Sequence, residues 1–319
     1  MTSKPILIFG CHGQDGSLLC SSILKQGYKP IGLSRNGKTI SKNHIHLGIE
    51  KDIELRSGDI KDFNKISNII ETYQPLAIYN LAGQSSVGKS FSDPKETIES
   101  IVNGTLNILE VARKISYPGR MFFAGSSEMF GETKQGADIN HIQKPISPYA
   151  IGKQASFNLV KLYREIYNLK CVTGVLFNHE SDLRDKSFVT HKIIQGALAI
   201  KKQKDHRKMK LGNIKVVRDW GWAPEYVEAM QLITNAQHLK DYVICSGKTN
   251  TLELFISKVF SNIGLNWKEY IEIDKNLFRP NEITKSYGNP ESLFKDLGWK
   301  AKLDIDMIIQ KLIDLSPKS

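Results

Sequence analysis

The chain is 319 residues long with a formal charge of +11, enough for one large domain or two moderate ones, and its basic balance favours anionic partners: nucleic acid, an acidic surface or phosphate-bearing small molecules. At 40% hydrophobic and 24% charged residues the composition is ordinary for a globular protein, which excludes a disordered or fibrous chain. Cys11, Cys20, Cys171 and Cys245 show neither paired nor metal-ligand spacing, no signal peptide is evident, and no apolar run is long enough to cross a bilayer. The expectation is a soluble, cytoplasmic protein with no metal site and no membrane partner.

Up to about residue 180, short apolar β-branched runs alternate with helical patterns. Strands are predicted over residues 6–10, 30–34, 53–56, 76–81, 121–125 and 172–177. Between them, apolar residues recur at helical spacing, as at Ile66, Ile69 and Ile70 and again at Ile101, Leu106, Ile108, Leu109 and Val111. This alternation predicts an α/β fold, a Rossmann-like doubly wound parallel sheet covered on both faces. Beyond that point the chain is more polar and irregular, with a helical tail over residues 305–315. The domain expectation is therefore a dinucleotide-binding unit over residues 1–178, with segments near 215–246 returning to it. Residues 179–319 form mainly a smaller, mostly helical substrate-binding region.

The first strand runs into Gly10-Cys11-His12-Gly13-Gln14-Asp15-Gly16, and a helical pattern follows. Glycines at this spacing let the backbone turn tightly, approach a pyrophosphate and seat the helix on the strand, so Gly10, Gly13, Gln14, Asp15 and Gly16 are candidate cofactor contacts. The second strand ends Gly32-Leu33-Ser34-Arg35-Asn36 with no carboxylate to hold a ribose 2′-hydroxyl. Arg35 suits a 2′-phosphate, so NADP is expected over NAD, although an exposed arginine at a loop start would read the same. Asp59, followed by Ile60 at the end of the third strand, can meet the adenine or equally cap the next helix.

Ser126 and Glu128 follow the apolar run 121–124, where a strand end would place them at the reactive end of the cofactor. Ser147-Pro148 marks a helix start that sets Tyr149 and Lys153 four apart on one face. A nearby ammonium favours the phenolate, so Tyr149 can take a hydroxyl proton with Ser126 beside it. Hydride transfer alone needs no carboxylate there. Glu128 therefore points to a second proton transfer. The basic run over residues 201–210 has no interleaved aromatic residue and reads as a solvated helix end or loop, not a nucleic-acid surface.

The glycine loop, Tyr-x-x-x-Lys and strand-end serine together resemble the extended short-chain dehydrogenase/reductase superfamily. Longer strings resemble its GDP-mannose 4,6-dehydratase family: Gly13-Gln14-Asp15-Gly16-Ser17, Tyr79-Asn80-Leu81-Ala82, Ser127-Glu128, Asn178-His179-Glu180-Ser181, Arg218-Asp219-Trp220-Gly221 and Arg279-Pro280 with Glu282. The resemblance implies redox-neutral dehydration of a GDP-linked sugar, with Ser126, Glu128, Tyr149 and Lys153 catalytic. It further implies that Leu81, Ala82, Gln84, Ser85, His179 and Arg184 line the cofactor, and that Ser86, Asn178, Lys192, Arg218, Arg279 and Glu282 hold the substrate. Ser86 and His191 stand where the family has histidine and arginine. Trp222-Ala223-Pro224-Glu225 replaces a more basic run, and the segment after Arg35 is short for the family. These departures leave a GDP-linked heptose open beside GDP-mannose, and a reductase or epimerase on a nucleotide-linked sugar is the nearest other reading. A homodimer is expected, with a tetramer possible.

Overall fold

The computed structural model describes residues 4–35, 39–202, 208–279 and 281–316. Asn36, Pro280 and residues 203–207 of the basic run lie outside the described residues. The six predicted strands form as β1 (Pro5–Phe9), β2 (Lys29–Ser34), β3 (Glu54–Ser57), β4 (Ala77–Asn80), β5 (Arg120–Ser126) and β6 (Cys171–Leu176). A seventh, Tyr242–Ile244, adds beside β6, and the sheet runs Tyr242–Ile244, β6, β5, β4, β1, β2, β3. Every pairing in it is parallel. The strand order reverses between β1 and β4, and the loops at their carboxyl ends diverge there to leave a crevice.

The sheet forms because its β-branched and aromatic runs are buried on both faces. Ile6, Ile8, Phe122 and Val172 turn to one apolar layer, and Leu7, Phe9, Ile78 and Met121 to the other. On the first face lie α1 (Gln14–Lys25) and the helix Ala223–Asn235. The other face is covered by the helices Phe63–Tyr73 and Gly104–Lys114, together with Pro148–Tyr167. The short helix α2 (Lys42–His46) follows β2 and starts at Ser41, whose hydroxyl accepts from Asn43 N.

Past β6 the helices Val189–Lys201, Leu252–Asn262 and Ile305–Asp314 bury a third apolar cluster around Ile193, Phe255 and Ile308. Several strands of two or three residues edge it, so the region is helical in its mass and β only in its rims. Lys201 and Lys202 are an exposed helix end, as expected. Met209–Leu211, at the far side of the basic run, is instead a strand paired with Ile271–Ile273. All four cysteines are buried and unpaired, and no described helix is long and apolar enough to cross a membrane.

One ion pair locks the late strand to the early sheet. Arg164, on the helix Pro148–Tyr167, gives two hydrogen bonds to Asp241 at 2.8 and 2.5 Å, and Asp241 also accepts from Thr173 N of β6 at 2.7 Å. Both side chains are largely buried, and planar guanidinium and carboxylate match in bidentate fashion. Replacing Asp241 by Ala strands a buried guanidinium, so Asp241→Ala should lose about 3 kcal/mol of stability. The check is a lower urea midpoint at unchanged slope.

Candidate active site

A cavity of about 370 Å³ opens at the carboxyl ends of β1, β4, β5 and β6, where the strand order predicts it. Behind Asp15, at one end of it, lie the glycines of the first turn. Gly10 sits at φ +81°, and a Cβ on it would lie 2.6 Å from the Leu81 carbonyl oxygen. A Cβ on Gly16 would stand 2.2 Å from the Gly10 carbonyl oxygen, so only glycine lets α1 dock on β1. Gly13 is exposed, and a Cβ there would meet nothing nearer than 3.5 Å, which leaves the first turn of α1 open to a ligand. That combination is a cradle for a pyrophosphate against first-turn N–H groups.

Gln14 and Asp15 carry the helix start across to the β6 side. Gln14 donates to the His179 carbonyl at 3.2 Å and accepts from Ser181 Oγ at 2.9 Å. His179 Nδ1 donates to the Phe177 carbonyl at 2.6 Å, and its Nε2 lies 3.0 Å from both Asp15 carboxylate oxygens. Burial opposes both charges, but the pair overrides it: Asp15 is held down to about 2 and His179 is raised above its ordinary value. Arg184 also lines the cavity, 3.4 Å from Glu180 and stacked 3.6 Å over the Phe188 ring.

At the other end β5 breaks. Ser126 Oγ caps the following turn by accepting from Glu128 N at 3.3 Å, and this turns Ser127 and Glu128 into the cavity. Tyr149 and Lys153 reach it from the helix Pro148–Tyr167, whose start is fixed by Ser147 accepting from Ala150 N at 3.1 Å. Lys153 Nζ donates to the Ala124 carbonyl at 2.7 Å and lies 5.8 Å from the Tyr149 ring centre. Burial pushes Tyr149 up to about 12, against the neighbouring Ser126 hydroxyl, which favours the phenolate. Burial lowers Lys153 to about 8. Alone, the tyrosine stays neutral at pH 7. A cationic ring placed against it would favour its ionisation.

The expected residues divide by location. Asp15, Leu81, Ala82, Gln84, Ser85, Ser86, Ser126, Glu128, Tyr149, Lys153, Asn178, His179, Arg184, Arg218, Arg279 and Glu282 share this one cavity. Arg218 is buried, which lowers its pKa, although Glu128 nearby works the other way. Arg279 is exposed at the rim. Gly10, Gly13, Gln14 and Gly16 do not line it; they form the turn into α1 and its start, behind Asp15. Arg35 is exposed and 3.1 Å from Glu96, outside the lining. Asp59 accepts from Lys61 N at 2.9 Å as a turn cap, and Ile60 packs into the core against Gly104.

Lys192 is not brought to the cavity. It lies on the exposed face of its helix and donates to the Lys210 carbonyl at 2.7 Å. The helical repeat that buries Thr190, Ile193, Ile194 and Ala197 turns residue 192 outward. Conversely, Gly212, Asn213, Val216 and Leu277 line the cavity without having stood out in the sequence, because they sit in irregular segments with no periodic signal. Thr190 lines it too, donating to Glu180 at 2.8 Å.

Residues 7–312 match the family model of GDP-mannose 4,6 dehydratase. The chain is 38% identical to GDP-mannose 4,6 dehydratase 1 of Arabidopsis thaliana, over 98% of its own length and 89% of that protein. It is 34% identical to the GDP-mannose 4,6 dehydratase of Drosophila melanogaster over 97% and 85%. Among solved structures it resembles the dTDP-glucose 4,6-dehydratase DesIV of Streptomyces venezuelae, with a TM-score of 0.87 at 18% identity over 98% and 96% of the two chains. At that identity the likeness is one of fold.

The Asp15–His179 pair gives a signed pH dependence. Asp15 contributes stability in full above its ordinary value of 3.8 and loses it as pH falls through about 2. His179, raised in the fold, contributes in full below its ordinary 6.5 and loses it as pH rises through the higher folded value. The melting-temperature difference between wild type and His179→Gln should therefore be widest between about pH 4 and 6 and narrow on both sides. A difference flat across pH would show that the pair is not charged in the fold.

Proposed function

The chain belongs to the GDP-mannose 4,6 dehydratase family, and from that premise we propose that it removes water from GDP-mannose to give GDP-4-keto-6-deoxymannose, with NADP as a bound and unchanged carrier. The observation that carries this reading is the Glu128 carboxylate in the same cavity as Ser126, Tyr149 and Lys153. A hydride transfer needs only the last three. A carboxylate beside them supplies the acid and base of an elimination.

A bound nicotinamide would supply a hydride acceptor for carbon 4 of the sugar and later a donor for carbon 6. Tyr149 takes the proton of the 4-hydroxyl, steadied by Ser126 and by the Lys153 ammonium, and a ketone is left at carbon 4. That ketone acidifies the hydrogen on carbon 5. Glu128 takes this proton as the carbon 6 to oxygen bond breaks, and gives it to the departing hydroxyl, which leaves as water. The proton that Tyr149 took is the one left over, and it would pass by way of solvent to Glu128 and on to carbon 5 as the hydride returned to carbon 6, so both residues end as they began. One water is lost, and oxidation at carbon 4 balances reduction at carbon 6.

The glycine cradle and the Asp15–His179 junction fit a dinucleotide. NADP is favoured over NAD by Arg35 directly after β2 and by the missing acid at that strand end. Its pairing with Glu96 is a surface contact with Arg35 68% exposed, worth about 0–1 kcal/mol, so exchange for a phosphate costs little. Arg218, Arg279 and Glu282 are assigned to the substrate's diphosphate and ribose, and Asn178 to the sugar end. On this reading residues 1–178, with segments near 215–246 returning to them, form the cofactor-binding unit, and residues 179–319 mainly bind the substrate. The GDP-linked heptose reading draws on Ser86: it is small, lines the cavity, and is occupied in capping Lys89 N at 3.2 Å, which leaves room beside the sugar. We further read the protein as a cytoplasmic homodimer, since Ile151, Leu162 and Ile166 stand exposed along one helix.

With catalytic NADP and GDP-mannose, the expected product is lighter by one water, with no net cofactor reduction. Glu128→Gln should cut turnover about 10²- to 10⁴-fold while NADP binding persists. Turnover by that variant within a factor of a few of wild type would sink the elimination role and leave a reductase or epimerase. Turnover of a GDP-heptose but not of GDP-mannose would move the substrate and keep the chemistry.

A further inference from the structure

Between the first two glycines of the cradle lie Cys11 and His12, and their carbonyls are gripped from behind by side chains from the start of one short helix. Ser41 Oγ donates to the His12 carbonyl at 3.4 Å and Asn43 Nδ2 donates to it at 3.1 Å. His44 Nε2 donates to the Cys11 carbonyl at 2.8 Å, beside the bond that Ser17 Oγ makes to the same oxygen at 3.0 Å. A peptide unit is planar, so fixing the two carbonyls fixes the amides of His12 and Gly13 on the opposite side. Gly13 N is thereby set to close the turn on the Gly10 carbonyl at 3.1 Å. The orientation of the loop that faces the ligand is thus settled by α2, which lies behind it.

His44 is an expensive residue for that position. It is 0% exposed, and its Nδ1 is buried with no partner. Leaving a buried polar atom unsatisfied costs about 1–3 kcal/mol. An apolar side chain would avoid that cost and fill the same space. What it would not supply is the donor to Cys11. α2 is itself anchored at its carboxyl end. Ile49, just after it, is buried in the sheet's apolar layer, and His46 Nε2 is 2.6 Å from Asp182 on the segment beyond β6 that carries Arg184.

We propose that α2 is a brace for the phosphate loop, with His44 a positioning residue for cofactor binding. It touches no ligand, and acts by holding the Cys11–His12 peptide in the orientation that the dinucleotide requires. This rests on the reading that the loop holds a dinucleotide.

The test measures NADP and NAD affinity by calorimetry for wild type, His44→Leu and His44→Gln, together with GDP-mannose turnover at saturating cofactor. Leu keeps the bulk and loses the donor, whereas the Gln amide restores one at similar reach. His44→Leu should bind its dinucleotide at least about tenfold more weakly, the equivalent of one buried hydrogen bond, and His44→Gln should recover most of that loss. Turnover at saturation and the affinity for GDP should stay near wild type, a split that a general loss of structure would not give. If His44→Leu binds within threefold of wild type, or if Gln fails to recover what Leu loses, the brace is overturned. Wild type binding neither dinucleotide would overturn the cofactor reading as well, a separate result. Should His44→Leu not fold, Asn43→Ala decides by the same criterion, since it removes one donor to His12 from a partly exposed position.

Discussion

The α1 end of the cavity depends on a gap where one carbon atom is missing. Residue 16 sits so close to the Gly10 carbonyl that a Cβ would stand 2.2 Å from it. Without that gap α1 could not lie down on β1, its first-turn amides would not face the crevice, and Gln14 and Asp15 would not reach the segment after β6. The glycine acts at long range because the helix is rigid. Shifting its first turn by an ångström shifts the His179 junction by as much. Packing in such a fold is close to that of a crystal, so the misfit cannot be absorbed locally.

From that junction the cavity acquires two different electrostatic ends. Near α1 charges are paired: Asp15 with His179 through hydrogen bonds, Arg184 with Glu180 as an ion pair. Near β5 they are not. Glu128 has no hydrogen-bonded side-chain partner among the described residues, Lys153 is anchored only to a backbone carbonyl, and Tyr149 is held neutral by burial. Paired charge suits holding a ligand, and unpaired charge suits moving protons, because a group already committed to a partner gives up its proton or lone pair reluctantly.

The sheet was legible because its strands repeat a simple physical demand, apolar on both faces, and the six predicted runs match β1 to β6 within a residue or so at their ends. The strand Tyr242–Ile244 was less so, being three residues long and remote in sequence from its neighbour. Tyr149, Lys153, Ser126 and Glu128 could be found because a helix cap and a strand end fix where such side chains go. Lys192 shows the opposite case. It stands beside a recognisable string, but the helix phase, legible from Ile193, Ile194 and Ala197, carries it outward, and phase outranks proximity in sequence. Asn213 and Gly212 had no phase to read, and α2 is too short to announce itself by periodicity.

The ion pair between Arg164 and Asp241 has a consequence for how the chain is made. The arginine and its acceptor are 77 residues apart, so during synthesis the guanidinium and the outer edge of β6 leave the ribosome long before the residues that cover them. For that interval the sheet has an unprotected rim of free amides and carbonyls, the kind of surface on which one nascent chain pairs with another. The late arrival of Asp241 closes the rim. The growing protein thus exposes that edge to self-association through the stretch of synthesis between β6 and its neighbour.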